Sequence, residues 1–225
     1  MAWIQQGLAL PEVFRWGGRR EGAGRKPTGR RVGVKHRARP FHERQHPVHI
    51  TWRVAPYVPS LRAGKMARVV GRTIRAVNAS HARRGTSFRV VHFSIQPNHL
   101  HLIVEAGSKQ ALAAGLRGLG VWIARRVNLQ RGGRGRVLGD RYHAHVLKKP
   151  LEVRRAIVYV LQNHLHHQPS RYIVDECSSA RWFDGWARAL PEPDTPSPVL
   201  PATTWLLRAG WRRYGSVRFS ERPAT

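Results

Sequence analysis

Cysteine is nearly absent from this sequence. Cys177 is the only one in 225 residues, so no disulfide forms within the chain and no zinc site built on thiolates is available. Acidic side chains are scarce too: 12 Asp and Glu stand against 40 Lys and Arg, a formal net charge of +28. Such a field attracts polyanions, and nucleic-acid phosphate is the commonest of these. No uninterrupted apolar run of transmembrane length occurs, which argues against a membrane partner. The opening MAWIQQGLALPEVFRWGGRR carries no charged region ahead of its apolar residues and makes a poor secretory signal. These absences lead to the expectation of a cytoplasmic protein.

The 41% of hydrophobic residues is enough for one well-packed domain with tails to spare. Residues 1–45 form a basic arm. Eleven Lys and Arg lie between Arg15 and Arg44, Arg30 and Arg31 among them, and Gly and Pro break any helical or strand period. The expectation is a flexible arm that either orders on a phosphate backbone or stays solvated. From His46 to Val54 the residues alternate and are rich in β-branched and aromatic types, a strand signature. Leu61 to about Arg83 has helical spacing. Phe88–Ile95 and His99–Glu105 read as a hairpin across Gln96-Pro97-Asn98. A second helix is expected from Ser108 to about Leu129, weakened by Gly115, Gly118 and Gly120. A fourth strand follows over Arg141–Leu147, then a third helix from Leu151 to about His167. Strand, helix, strand, strand, helix, strand, helix describes an α+β, ferredoxin-like split β-α-β antiparallel sheet with an added C-terminal helix. The domain so defined covers residues 46–170. Residues 171–225 read as an extension, with an extended, mobile Pro-rich linker (Pro191 to Pro201) and a basic aromatic tail.

The chemistry-bearing stretch is Pro97-Asn98-His99-Leu100-His101. Alternate side chains of a strand share a face, so His99 and His101 project together as a pair of imidazole ligands. A His-x-His pair alone is more often structural. On the third helix Tyr159 and Asn163 stand four apart, a spacing that puts them on one helical face. A tyrosine hydroxyl can attack a phosphodiester polarised by a metal, and an Asn oxygen can join two imidazoles around Mg²⁺ or Mn²⁺. Gln162 is an alternative ligand about 100° round the helix. Tyr142 is a rival nucleophile. His143 and His145 repeat the His-x-His spacing, and with His49 they read as strand residues near nucleic acid. His164, His166 and His167 point in different directions on a helix and read as a solvated or phosphate-facing cluster.

The Pro-Asn-His-x-His piece followed by Tyr159-Val160-Leu161-Gln162-Asn163 resembles the HUH single-strand endonucleases of the IS200-like, single-tyrosine transposase family, and within it the REP-associated tyrosine transposases. The likeness spans roughly His46 to Gln168, including Gly139 to His145. It implies that His99, His101 and Asn163 are metal ligands and Tyr159 the nucleophile. It further implies a single-stranded DNA substrate bearing a hairpin or REP-like palindrome, and a 5′-phosphotyrosine intermediate. A bacterial, nucleoid-associated protein, monomer or homodimer, would fit. Arg141, Lys148, Arg30 and Arg31 are candidate phosphate contacts. The family motif usually runs from the Asn to a Pro, whereas His164 follows here. The alternative is a non-catalytic nucleic-acid-binding protein on a ferredoxin-like scaffold, which would stack bases on the central strands.

Overall fold

The computed structural model describes residues 42–139, 141–166 and 173–223, which belong to one compact unit. Arg30, Arg31 and most of the expected arm lie outside the described residues. Val48–Arg53 forms β1, Arg89–Ile95 β2, His99–Glu105 β3 and His143–Val146 β4. They make an antiparallel sheet in the order β2-β3-β1-β4. Helix α1 (Met66–Arg83) joins β1 to β2, and α2 (Lys109–Gln130) joins β3 to β4. Because β3 is antiparallel to both, β1 and β2 run parallel with β3 inserted between them. This is the ferredoxin-like α+β topology that the order of elements predicts.

The alternation along each strand sorts the side chains onto two layers. Val48, Ile50 and Trp52 of β1 and Leu100, Leu102 and Val104 of β3 pack with α1 and α2. Val70, Ile74 and Val77 come from α1, and Leu112, Leu116, Leu119 and Ile123 from α2. Ser108 caps α2, its hydroxyl accepting from the Ala111 N–H at 3.0 Å. Two of the α2 glycines are close-approach points and not simply weak spots. A Cβ on Gly115 would run into the Phe88 ring, and one on Gly120 into Trp52, whereas Gly118 has open space around it.

The other layer is built by α3 (Pro150–Leu161) together with the C-terminal extension. Pro150 opens α3, and Glu152 accepts from the backbone N–H of Lys148 at 2.8 Å and of Lys149 at 3.0 Å, a side-chain cap on the first turn. Val153, Ile157 and Val160 pack on Ile103 and Val91 and on Phe183, Trp186, Leu207 and Trp211 of the extension. The Pro-rich segment, expected to be mobile, instead lies along the sheet. Leu200 N–H donates to Val90 O at 3.2 Å and Asn78 Nδ2 to Pro198 O at 3.1 Å. The buried Glu105 carboxylate accepts from the N–H and hydroxyl of both Thr203 and Thr204, at the start of the short helix α4 (Trp205–Arg208). These groups satisfy the free edge of β2 and a carboxylate that would otherwise be buried unpaired, which outweighs the linker's low intrinsic order.

Gly115→Ala is expected to destabilise the protein by about 1–3 kcal/mol through overpacking. Gly118→Ala, three residues on along the same helix, is expected to stabilise it by about 1 kcal/mol. Urea unfolding midpoints of the two variants, at unchanged slope, check the contrast.

Candidate functional site

The pair register fixes which side chains share the sheet face under α3. Thr51 of β1 lies opposite His101 on one side and His143 on the other, and His49 lies between Ile103 and His145. The face therefore carries His99 and His101 from β3, His49 and Thr51 from β1, and His143 and His145 from β4. His101 is buried, His99 half-exposed, and the two edge-strand histidines are exposed.

His99 and His101 bring their Nε2 atoms to 2.8 Å of each other, rings perpendicular at 88°. Their other nitrogens are held from behind. His99 Nδ1 is 2.7 Å from Asn98 Oδ1. His101 Nδ1 is 3.2 Å from His49 Nε2 and 3.3 Å from Thr51 Oγ1. Partners of this kind orient imidazole ligands and set their tautomer. Burial is the main cause that pushes His101 down to about 3, helped by His49 and His99 beside it. Burial likewise lowers His49 to about 4, followed by the influence of His145 and His143. Both rings are neutral across the physiological range, the form that binds metals.

Tyr159 reaches this cluster from α3. Its ring is edge-on to His101 at 5.0 Å and to His49 at 5.7 Å, and the side chain is half-buried. Tyr159 and His101 thus face each other between α3 and the sheet. Tyr142, the rival nucleophile, points the other way. It is buried in the α1–α2 layer, edge-on to Trp52 at 5.4 Å.

The end of α3 departs from expectation. The helix stops at Leu161, and Asn163–His166 forms a 3₁₀ turn. Gln162 leaves helical geometry at φ −113 and ψ 15 and donates through Nε2 to Arg218 O at 2.7 Å, which docks it on the extension, while its Oε1 is buried without a hydrogen-bond partner. Tyr159 and Asn163 therefore do not share one continuous α-helical face. Asn163 is 3% exposed, and its Oδ1 is buried without a hydrogen-bond partner. His164 is also buried, with both ring nitrogens unpartnered. That contradicts a solvated cluster, while the side chains of His166 and His167 lie outside the described residues. Burial lowers the His164 pKa, and Asp175 opposes that effect.

The donor set fits a divalent cation. Two neutral imidazole nitrogens 2.8 Å apart can both lie within the ~2.1 Å that a metal–imidazole bond needs, and an amide oxygen without a partner sits on the turn that follows Tyr159. Among the described residues no three His, Cys, Asp or Glu side chains come together to hold a metal. Two adjacent imidazoles, His99 and His101, are the donors the structure brings together, and the amide oxygens of Gln162 and Asn163 are both buried without a hydrogen-bond partner. Arg141 and Lys148 are exposed on either side of β4.

Sequence reasoning missed the part played by His49 and Thr51. The alternation over Val48–Arg53 puts both on one face, but which strand they face is set by pairing across some fifty residues. It also missed Arg62, which forms a two-pronged ion pair with Asp175 at 2.9 and 2.7 Å and donates to Ile95 O at 3.0 Å. Asp175 is 3% exposed. This pair ties the segment before α1 and the end of β2 to the extension. The sheet face on which an RNA-binding scaffold would stack bases carries histidines and is packed by α3 and the extension.

No family model matches the chain, and no curated protein matches it in sequence. Among solved structures it is similar to a REP-associated tyrosine transposase bound to a REP hairpin, at 15% identity and a TM-score of 0.46, covering 60% of this chain and 74% of that one. It is also similar to a protein of Deinococcus radiodurans classed provisionally as a transposase, at 16% identity and a TM-score of 0.39, covering 61% and 98%.

Arg62→Ala is expected to cost about 3–5 kcal/mol, because Asp175 is left buried and uncompensated. Arg62→Ala/Asp175→Asn should recover part of that loss. Chemical denaturation of the single and double variants measures the coupling.

Proposed function

We propose that the chain is a metal-dependent single-stranded DNA endonuclease and transposase with Tyr159 as nucleophile. The observation that carries this reading is the Tyr159 ring set edge-on against His101, whose Nε2 meets that of His99 at 2.8 Å. The resemblance of Pro97–Ile103 and Tyr159–Asn163 to the single-tyrosine transposases agrees with it, and so does the net charge of +28. The substrate is a single strand bearing a hairpin or REP-like palindrome, and the protein acts as a monomer or homodimer in the bacterial cytoplasm at the nucleoid.

His99, His101 and Asn163 would hold Mg²⁺ or Mn²⁺, which when bound supplies charge withdrawal at the scissile phosphate. The neutral state of His101 means that the ring need not shed a proton to offer one nitrogen to a cation. Tyr159 gives up its phenolic proton to solvent water and its Oη attacks the phosphorus, and the proton that the leaving 3′ oxygen takes up comes back from solvent. The P–O3′ bond breaks, the 3′ oxygen leaves as a hydroxyl after taking a proton, and the 5′ phosphate stays on the tyrosine. Attack by a 3′-hydroxyl on that link reverses the sequence and rejoins strands. Phosphodiester is exchanged for phosphodiester, so no nucleotide cofactor is consumed. Arg141 and Lys148, with Arg30 and Arg31 of the arm, hold the phosphate backbone.

Incubated with Mn²⁺ and hairpin-bearing single-stranded DNA, the protein is expected to form a covalent adduct on a denaturing gel. The adduct should vanish in Tyr159→Phe and persist in Tyr142→Phe. An adduct retained in Tyr159→Phe would sink the assignment.

Asn163→Ala is expected to change the metal-free unfolding free energy by no more than about 1 kcal/mol, since Oδ1 forms no hydrogen bond. The same variant should lose the rise in Tm that Mn²⁺ confers on the parent protein. Thermal unfolding with and without Mn²⁺ separates the two effects.

A further inference from the structure

We infer that His49 is a positioning residue that hydrogen-bonds to Nδ1 of His101 in either of its tautomers and holds the Tyr159 ring, so that the metal ligand and the nucleophile are oriented by one side chain. This rests on the metal-site reading proposed above and adds a residue to it.

Three rings form a closed triangle. His49 is 5.3 Å from His101 and 5.7 Å from Tyr159, and Tyr159 is 5.0 Å from His101. A shift of any one ring is opposed by the other two. His49 sits at the middle of the sheet for this purpose, paired with Ile103 on β3 and with His145 on β4, so its backbone is fixed from both sides.

The hydrogen bonds give the triangle a chemical consequence. Asn98 Oδ1 accepts the proton on His99 Nδ1, which leaves His99 Nε2 with a lone pair. The 2.8 Å contact between the two Nε2 atoms then requires His101 to donate from Nε2. His101 Nδ1 is consequently an acceptor, and His49 Nε2, 3.2 Å away, is the donor. For His101 to present a lone pair at Nε2 to a cation, its proton must move to Nδ1 and find an acceptor there. A neutral His49 with its own proton on Nδ1 is that acceptor, its two tautomers matching the two states of His101. Thr51 Oγ1, at 3.3 Å from the same nitrogen, can donate or accept in either state. No net proton is gained or lost: each imidazole stays neutral and only exchanges which nitrogen carries its hydrogen.

The test titrates Mn²⁺ into the full-length chain without DNA, following free Mn²⁺ by electron paramagnetic resonance. Partners that orient a ligand are worth about 10–100-fold in metal affinity. His49→Phe keeps a ring of similar size beside Tyr159 but cannot bond to His101, and should bind Mn²⁺ weaker by that factor. His49→Asn, whose amide is too short to reach Nδ1 of His101, should do the same. His49→Gln, which can place an amide group near the position of Nε2, should recover binding to within about threefold of the parent, on the same outer-shell scale. Unfolding midpoints of all three in the absence of metal control for folding. Parent-like Mn²⁺ affinity in both His49→Phe and His49→Asn overturns the positioning role while leaving the metal site intact. A parent chain that binds Mn²⁺ no better than His99→Ala/His101→Ala overturns the metal reading and this inference with it.

Discussion

β3 is covered on both faces, and most of the structure follows from that constraint. Its even-numbered residues, Leu100, Leu102 and Val104, are sealed by α1 and α2. Its odd-numbered ones cannot be left in water either, because Ile103 is apolar and lies at the centre of the sheet. Something must cover that second face, and α3 does so with Ile157 and Val160. Tyr159, between these positions on the same helix, is carried over the histidines as a result. The same burial removes water from His101 and His49 and keeps them uncharged. Packing, proximity and protonation state thus have a single origin.

One helix is too narrow to close the face, and the C-terminal extension supplies the remainder. Phe183, Trp186, Leu207 and Trp211 complete the apolar layer, and polar anchors hold them in place. Arg62 with Asp175 and Glu105 with Thr203 and Thr204 are buried or half-buried contacts whose desolvation cost offsets much of their attraction. Their contribution is chiefly to position. Each joins a strand end to one specific point of the extension, so the layer packs in one register. The bond from Gln162 to Arg218 O extends this control to the end of α3, where the helix gives way to the turn carrying Asn163 and His164.

Some of the site was legible in the chain because it depends on short-range geometry. The two-residue period of a strand requires His99 and His101 to project together, whatever surrounds them. The topology followed similarly from the order of apolar periods, and the sheet order agrees with it. The relation of Tyr159 to Asn163 was less secure, since a four-residue spacing shares a face only while the helix continues. Here it ends between them, at a residue whose side chain is bonded to Arg218 O, 56 residues further on. His164 looked solvated because neighbouring histidines suggested a polar surface, yet it is enclosed. The proline-rich segment looked mobile because proline gives no periodic signal, whereas contacts with residues distant in the chain, Val90, Asn78 and Arg89 among them, account for its place.

Sequence alone determined the pairing of His99 with His101 on one strand face and the ferredoxin-like order of elements, because periodicity and composition are local properties of the chain. It also determined the charge that favours a polyanion. The tertiary structure alone decided that His49 stands behind His101, that Tyr142 faces away while Tyr159 faces in, and that the extension belongs to the core. Those outcomes depend on strand register and on which surfaces must be buried together, and neither is set until residues distant in the chain have met.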